Sequence, residues 1–485
     1  MKKLYVSIIA LLSVFILASC QEQDTRPVLT YAAWNLGTVE DNNIERRLIQ
    51  AYQDAHPEIR IEIIARPTTV NEDGSETDVS WVEFFGARAA IGKLPDVFQV
   101  ADVTNWIIQG WLEDVSDLAE EDPDLALVPD DIVNSARFGD YLFALPQAMF
   151  YYGFFIDRTV YQEINQYRDV TYGMTFTELM QAAQKNYRLD LEVGGTGIAG
   201  IDGVSAFIEW LPAQYDASLD WFTFNSETGY HLNSTAFQNA VNEQKKYYTP
   251  DAATNYRYVL NALPDEDRLV QYGTTDPWSQ GKQSIKWAPS YNLRDWIGAT
   301  NNPASPLYQH DIDFIGTPRV GDNHRIPVIM DYIAVGRGTQ MREEAYDFAR
   351  YMGYGVEGYK KRLEIAEENP SVGAINFAPI AQDQELIDAY FALYPNMTEY
   401  RKIVEEHDSF ISESLWKTTP GYWLSRANGA YDETQGIGEV INKVIQGELQ
   451  LADVVNGLQT AANNHWTTAK QELDAALLKF AQENS

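Results

Sequence analysis

The sequence predicts an α/β fold, and three observations predict it. Apolar runs of strand length alternate with amphipathic runs of helical period. The first of these runs compose a β-α-β unit, which implies parallel strands joined by a right-handed crossover. Composition supplies a core, because 45% of the 485 residues are hydrophobic and 13% are aromatic. Repeated alternation of this kind argues for a sheet flanked by helices.

Residues 28–33 form the first strand, ending at Trp34-Asn35. Asn42 and Asn43 can cap a helix, in which Ile44, Leu48, Ile49 and Tyr52 recur at helical spacing until His56-Pro57 stops it. Residues 59–65 are a second strand. A helix over 81–91 carries Trp81, Phe84, Phe85 and Ala89, and Pro95 opens a strand that ends at Ala101-Asp102. Residues 141–146 are extended and run into a strand over 151–157. Helices come next, as over 176–185, then a strand over 283–287 that leads to Ala288-Pro289-Ser290-Tyr291. A strand over 328–335 precedes a helix over 341–352, with Ala345, Phe348 and Ala349 on one face. The end is helical over 434–446 and from 452 to about 482. Residues 71–78 read as a polar, flexible loop and 120–131 as an acidic surface stretch.

The formal net charge is −34. Such a surface repels phosphate backbones, so nucleic acid is excluded as a partner; it serves solubility. Lys2 and Lys3 precede an apolar run over 4–18, broken only by Ser7 and Ser13. A hydrocarbon core of about 30 Å needs roughly 20 residues, so this run has the length and flanks of a signal peptide instead. Leu17-Ala18-Ser19-Cys20 resembles a bacterial lipobox, and Cys20 is the one cysteine of the chain. The resemblance implies cleavage after residue 19 and a lipid on Cys20, with 20–27 as a tether. Acyl chains add about 0.8 kcal/mol per buried methylene and hold a protein on a bilayer. The mature chain then has no disulfide, and no other apolar run is long enough to span a membrane.

Several motifs carry no chemistry. Gly195-Thr196-Gly197-Ile198-Ala199-Gly200 matches a dinucleotide fingerprint but opens no helix, and 198–201 reads as a strand. No two of the six histidines lie at metal-ligand spacing. The run from Asn71 to Glu76 lacks the ordered ligands of a calcium loop. No metal and no cofactor are expected. No nucleophile elbow or phosphate loop is present. Carboxylates are too abundant to single out a glycosidase pair, so no catalytic residue is assigned.

The order of elements resembles the extracellular solute-binding proteins of carbohydrate ABC transporters, the branch containing maltose-binding protein. Five stretches carry it: the strand closing on Trp34 with the helix through Glu45-Arg46-Arg47, Leu94-Pro95-Asp96-Val97-Phe98 with Gly110-Trp111-Leu112 behind, Leu145-Pro146 with 151–157, Gly281-Lys282-Gln283-Ser284-Ile285, and Ala345-Tyr346-Asp347-Phe348-Ala349. The approach to 328 departs from the family's glycine-rich pattern, reading Ile329-Met330-Asp331-Tyr332, and 194–261 is hard to match. The resemblance implies two lobes, each a mixed sheet flanked by helices, joined by a three-strand hinge crossed near Leu145, Val328 and Ser371. The first lobe is expected over 28–144 and 329–371, the second over 145–328 and 372–485.

In open α/β sheets, ligands sit beyond the carboxyl ends of strands. Trp34, Asn35 and Asp102 fall there. A sugar ring has an apolar face that a flat aromatic covers and a rim of hydroxyls that Asp and Asn can meet. On these grounds Trp34, Asn35, Asp102, Tyr151, Trp210, Tyr291, Asp331, Trp423 and Tyr431 are the candidate ligand residues; the alternative for each is packing. The resemblance implies a monomeric, non-enzymatic, lipid-anchored substrate-binding subunit on the outer face of the cytoplasmic membrane. It would capture a sugar, read as an oligosaccharide, and deliver it to the ABC permease. Two rivals remain: a surface glycoside-active enzyme or lyase, and the same fold binding a peptide or organic anion.

Overall fold

The structure, a computed structural model, describes residues 24–34, 36–37, 43–71, 75–190, 195–368, 375–406, 409–412 and 415–484. Cys20 and Asn35 lie outside them, as does the crossing expected near Ser371.

Nine strands make the main sheet, numbered here in chain order: β1 Val28–Ala32, β2 Arg60–Ile63, β3 Val97–Val100, β4 Leu145–Asp157, β5 Ala199–Ile201, β6 Gln283–Pro289, β7 Ile312–Gly316, β8 Ile326–Val335 and β9 Phe410–Ser412. Their order is β2-β1-β3-β8-β4-β6-β5, with β7 on β4 and β9 on β8. β1 is parallel to β2 and to β3, as the β-α-β reading requires. The intervening helix, Ile44–Ala55, buries Ile44, Leu48, Ile49 and Tyr52, and Asn43 caps it by accepting the Arg46 amide at 2.9 Å.

β4 and β8 are the longest strands and run antiparallel to each other. At one end, Tyr332–Val335 pairs with β3. At the other, β4 pairs with β6 and β7, and β8 pairs with β9. Two continuous strands therefore cross between two lobes. Two large hydrophobic cores form, and the larger runs from the first lobe through the hinge to Trp296 on the helix Leu293–Thr300 and Phe314 on β7. It gathers β1, β3 and the helices Ile44–Ala55 and Arg342–Met352; the other gathers Phe154, Trp210, Phe237 and Ile441.

Three expectations are corrected. The terminal helix, Leu451–Glu483, is expected wholly in the second lobe, yet it serves both. Leu458, Ala462 and Trp466 pack in the second core, whereas Leu473 and Phe480 pack in the first. The apolar stripe simply continues along a helix long enough to reach both. The polar loop at 71–78 is part of a hairpin, Thr68–Val70 against Glu76–Asp78. The acidic stretch at 120–131 is partly interior, because Leu125 and Val128 are buried and the carboxylate of buried Asp122 accepts from the hydroxyls of Tyr346, at 2.9 Å, and Tyr354.

Candidate ligand-binding cleft

The hinge strands alternate their side chains between two faces, and the pairing fixes which side chain goes where. Ile329 lies opposite Phe150 and Asp331 opposite Ala148, while Val328 lies opposite Tyr151 and Met330 opposite Met149. The first set faces a cavity of about 110 Å³ lined by Phe150, Ala148 and Asp331. We call this the front. The second set faces a cavity of about 610 Å³ lined by Val328 and Met330. This is the rear.

The front cavity draws on both lobes and the hinge. Trp34 follows β1, and Asn43 to Glu45 begin the helix Ile44–Ala55. Arg294 comes from the helix Leu293–Thr300, which follows β6. An amide chain joins the strand ends beneath: the Trp34 amide donates to Gln99 Oε1 at 2.7 Å, and Gln99 Nε2 donates to Gln147 Oε1 at 2.6 Å. Both glutamines are buried, so the chain satisfies groups that would otherwise be costly.

Two carboxylates in the lining are matched by buried cations. Arg362 pairs with Glu45 through both guanidinium ends, one at 3.2 Å, and its guanidinium lies 5.0 Å from the Phe377 ring centre. Lys417, only 2% exposed, pairs with Asp331, donates to the Met330 carbonyl at 2.5 Å and lies 4.6 Å from the Trp416 ring. Aromatics continue the surface on the second-lobe side. Tyr291, 45% exposed, stands edge-on to Phe150 at 5.5 Å, and Trp423, 44% exposed, leans on Trp416 at 6.0 Å.

The candidate residues thus divide. Trp34 and Asp331 line the front cavity; Tyr291 adjoins it through Phe150, and Trp423 connects to it through Trp416 and Lys417. Asp102 does not line it. Its carboxylate caps the helix Val103–Ile108, accepting the Asn105 amide at 3.0 Å and the Thr104 hydroxyl at 2.9 Å, and burial raises its pKa. Tyr151 is corrected to a packing residue: it is fully buried on the rear-facing side against Tyr400 and Phe410. Trp210 is likewise fully buried, stacked on Trp287 at 5.8 Å. Tyr431 packs its ring against Gly457 of the terminal helix, where an added Cβ would come within 2.5 Å of its hydroxyl.

Sequence reasoning missed Phe150, Gln99, Gln147, Arg294 and the pairs Glu45–Arg362 and Asp331–Lys417. Strand parity separates Phe150 from Tyr151 but does not say which of the two faces the cleft. The ion pairs join residues hundreds or tens of positions apart and left no local mark. Among the described residues, no group of three or more His, Cys, Asp or Glu side chains could hold a metal ion, and no helix is long and apolar enough to cross a membrane.

No protein-family model and no curated protein sequence matches the chain. Solved structures do. A cycloalternan-bound ABC substrate-binding protein of Listeria monocytogenes aligns at TM-score 0.60 and 13% identity, covering 91% of this chain and 99% of its own. The cyclic α-maltosyl-1,6-maltose binding protein of Arthrobacter globiformis aligns at 0.60 and 16%, covering 91% and 100%. A sugar transporter protein of Rhizobium etli, in an open conformation, aligns at 0.62 and 12%, covering 90% and 99%. At these identities the likeness is one of fold. The chain has the two-lobe fold of the substrate-binding proteins of sugar ABC transporters.

Proposed function

We propose that the protein is the lipid-anchored substrate-binding subunit of an ABC importer, that it takes a sugar, an oligosaccharide, into the front cleft, and that it delivers it to the permease. The observation that carries this reading is the cleft itself: two continuous hinge strands floor it, and aromatic and hydrogen-bonding side chains reach it from both lobes. Relatives in fold bind cycloalternan, a cyclic maltosyl-maltose and, in one case, the single sugar tagatose, which supports a sugar ligand. The first-lobe pieces are Trp34 and Glu45, the hinge piece is Asp331, and the second-lobe pieces are Tyr291 and Arg294. Asn35, next to Trp34, belongs to the same proposal.

A ligand that touches both lobes favours the closed form, and only its differential affinity for the two forms can move the equilibrium. Shifting the balance from 1:99 to 99:1 takes about 5.5 kcal/mol, and micromolar binding supplies about 8.2 kcal/mol overall. Closure would let the permease tell loaded protein from empty.

Titration of intrinsic tryptophan fluorescence with a panel of oligosaccharides tests the reading. A saturable change with at least one sugar, and no new reducing ends over hours, is expected. No response to any sugar, or steady hydrolysis proportional to protein, contradicts it. For the anchor, Cys20→Ser should release the protein from the membrane fraction; a variant that still incorporates labelled lipid contradicts the lipobox reading.

A further inference from the structure

Given that the cleft binds a sugar, as proposed above, its charge pattern narrows which sugar it would take. In a chain of net charge −34, the front cavity is not acidic. Its two carboxylates are each held by a buried cation, Glu45 by Arg362 and Asp331 by Lys417. Arg294 is different. Its side chain is 56% exposed, and its carboxylate neighbour, Asp295, stands 3.8 Å away and is itself 70% exposed. Such an exposed contact contributes little. The charge that faces the cavity without a close match is therefore positive. The amino-terminal turn of the helix Ile44–Ala55 opens on the same cavity and adds positive partial charge.

Closure makes this consequential. A guanidinium taken out of water without a counter-charge is costly. A neutral sugar would leave Arg294 with only its loose contact to Asp295 at 3.8 Å, whereas a carboxylate would pair with its fork through two parallel hydrogen bonds. Arg294 stands three residues after Tyr291 at the entry to the helix Leu293–Thr300, and residues so spaced share a helical face. A pyranose on the exposed Tyr291 ring would thus direct a ring-borne carboxylate toward Arg294. The protein's overall negative field does not forbid this, because it is screened beyond about 8 Å at physiological ionic strength.

We infer that the cleft selects an acidic oligosaccharide, one that carries a uronic acid, with Tyr291 under the ring and Arg294 on its carboxylate. Calorimetric titration with tri-galacturonate, tri-mannuronate and maltotriose tests this on the wild type and on Arg294→Gln and Arg294→Lys. The expected result is a uronate trisaccharide bound tenfold or more tighter than maltotriose. Arg294→Gln should erase that preference and Arg294→Lys should retain part of it. Maltotriose bound as tightly as either uronate, or a preference that survives Arg294→Gln, overturns the inference and leaves sugar capture standing. No binding of any of the three also overturns the inference, and the wider oligosaccharide panel then decides sugar capture. Arg294 is exposed, so neither variant should disturb folding; a circular dichroism melt verifies it.

Discussion

The two faces of the hinge differ in a way that size alone misreads. The rear cavity, about 610 Å³, is far larger than the front one at about 110 Å³. Yet Arg325, a buried cation lining the rear, is committed to structure. Arg325 donates to Asp220 at 3.0 Å and to the Phe410 carbonyl at 2.6 Å, and Lys470 pairs with Asp474 one helical turn away at 3.0 Å. The terminal helix covers that side with Trp466, Leu473 and Leu477. The front is smaller but offers strand ends, an adjoining exposed ring and a cation, Arg294, whose carboxylate neighbour is itself exposed. Chemistry rather than volume favours the front as the proposed site.

Mutations test this contrast. The largest effect is expected at the rear. Trp466 is buried beside Phe224 at 5.9 Å and against Gly229, so Trp466→Ala should cost about 3–5 kcal/mol of stability in chemical denaturation. Affinity of the protein that remains folded should hardly change. A large affinity loss with little destabilisation would reverse the roles of the two faces.

At the front the pattern should invert. Trp34→Ala and Tyr291→Ala should each weaken sugar binding by about 1–3 kcal/mol, read by calorimetry. Tyr291→Ala should leave the melting temperature of the free protein nearly unchanged, because exposed substitutions fall mostly within about 0.5 kcal/mol. Unchanged affinity for both variants would return these rings to packing.

The smallest effect is expected away from either face. His310 Nδ1 lies 2.7 Å from buried Asp157, and that hydrogen bond raises the histidine pKa above its ordinary 6.5. Burial raises the Asp157 pKa as well. The folded protein therefore holds these protons more tightly than the unfolded chain, and the histidine's contribution is full below pH 6.5 and fades as pH climbs through its raised folded value. His310→Gln should narrow the gap to wild type as pH rises, without altering sugar affinity. A gap that widened toward alkaline pH would contradict the pairing.

Much of the fold is legible in the sequence because each strand and helix is short-range pattern. The β-α-β start, the helix Phe176–Lys185 and β8 stand within a few residues of where the pattern puts them, whereas β4 runs unbroken from Leu145 and not only from 151. The site is less legible. Tyr151 and Phe150 are adjacent, but a shift of one residue in a strand exchanges its faces, and only the pairing with β8 shows that Phe150 faces the front. Trp210 reads as a candidate ligand residue and lies buried inside the helix Phe207–Tyr215. Asp102 reads as a ligand residue and caps a helix, a use that the same residue type serves equally well. Lys417 cannot be paired with Asp331 from sequence, since 86 positions separate them.

The proposed function requires the lobes to rotate about β4 and β8 and close the front on a sugar. A hinge between two cavities must then widen the rear as the front closes. Asn134 and Ser226 line the rear cavity from opposite lobes, and both are exposed. With Cys20→Ser removing the one native thiol, spin labels on Asn134→Cys and Ser226→Cys report their separation by pulsed electron resonance. On saturation with a sugar that binds, the distance should lengthen. A distance that stays the same while calorimetry shows full occupancy would contradict closure about this hinge.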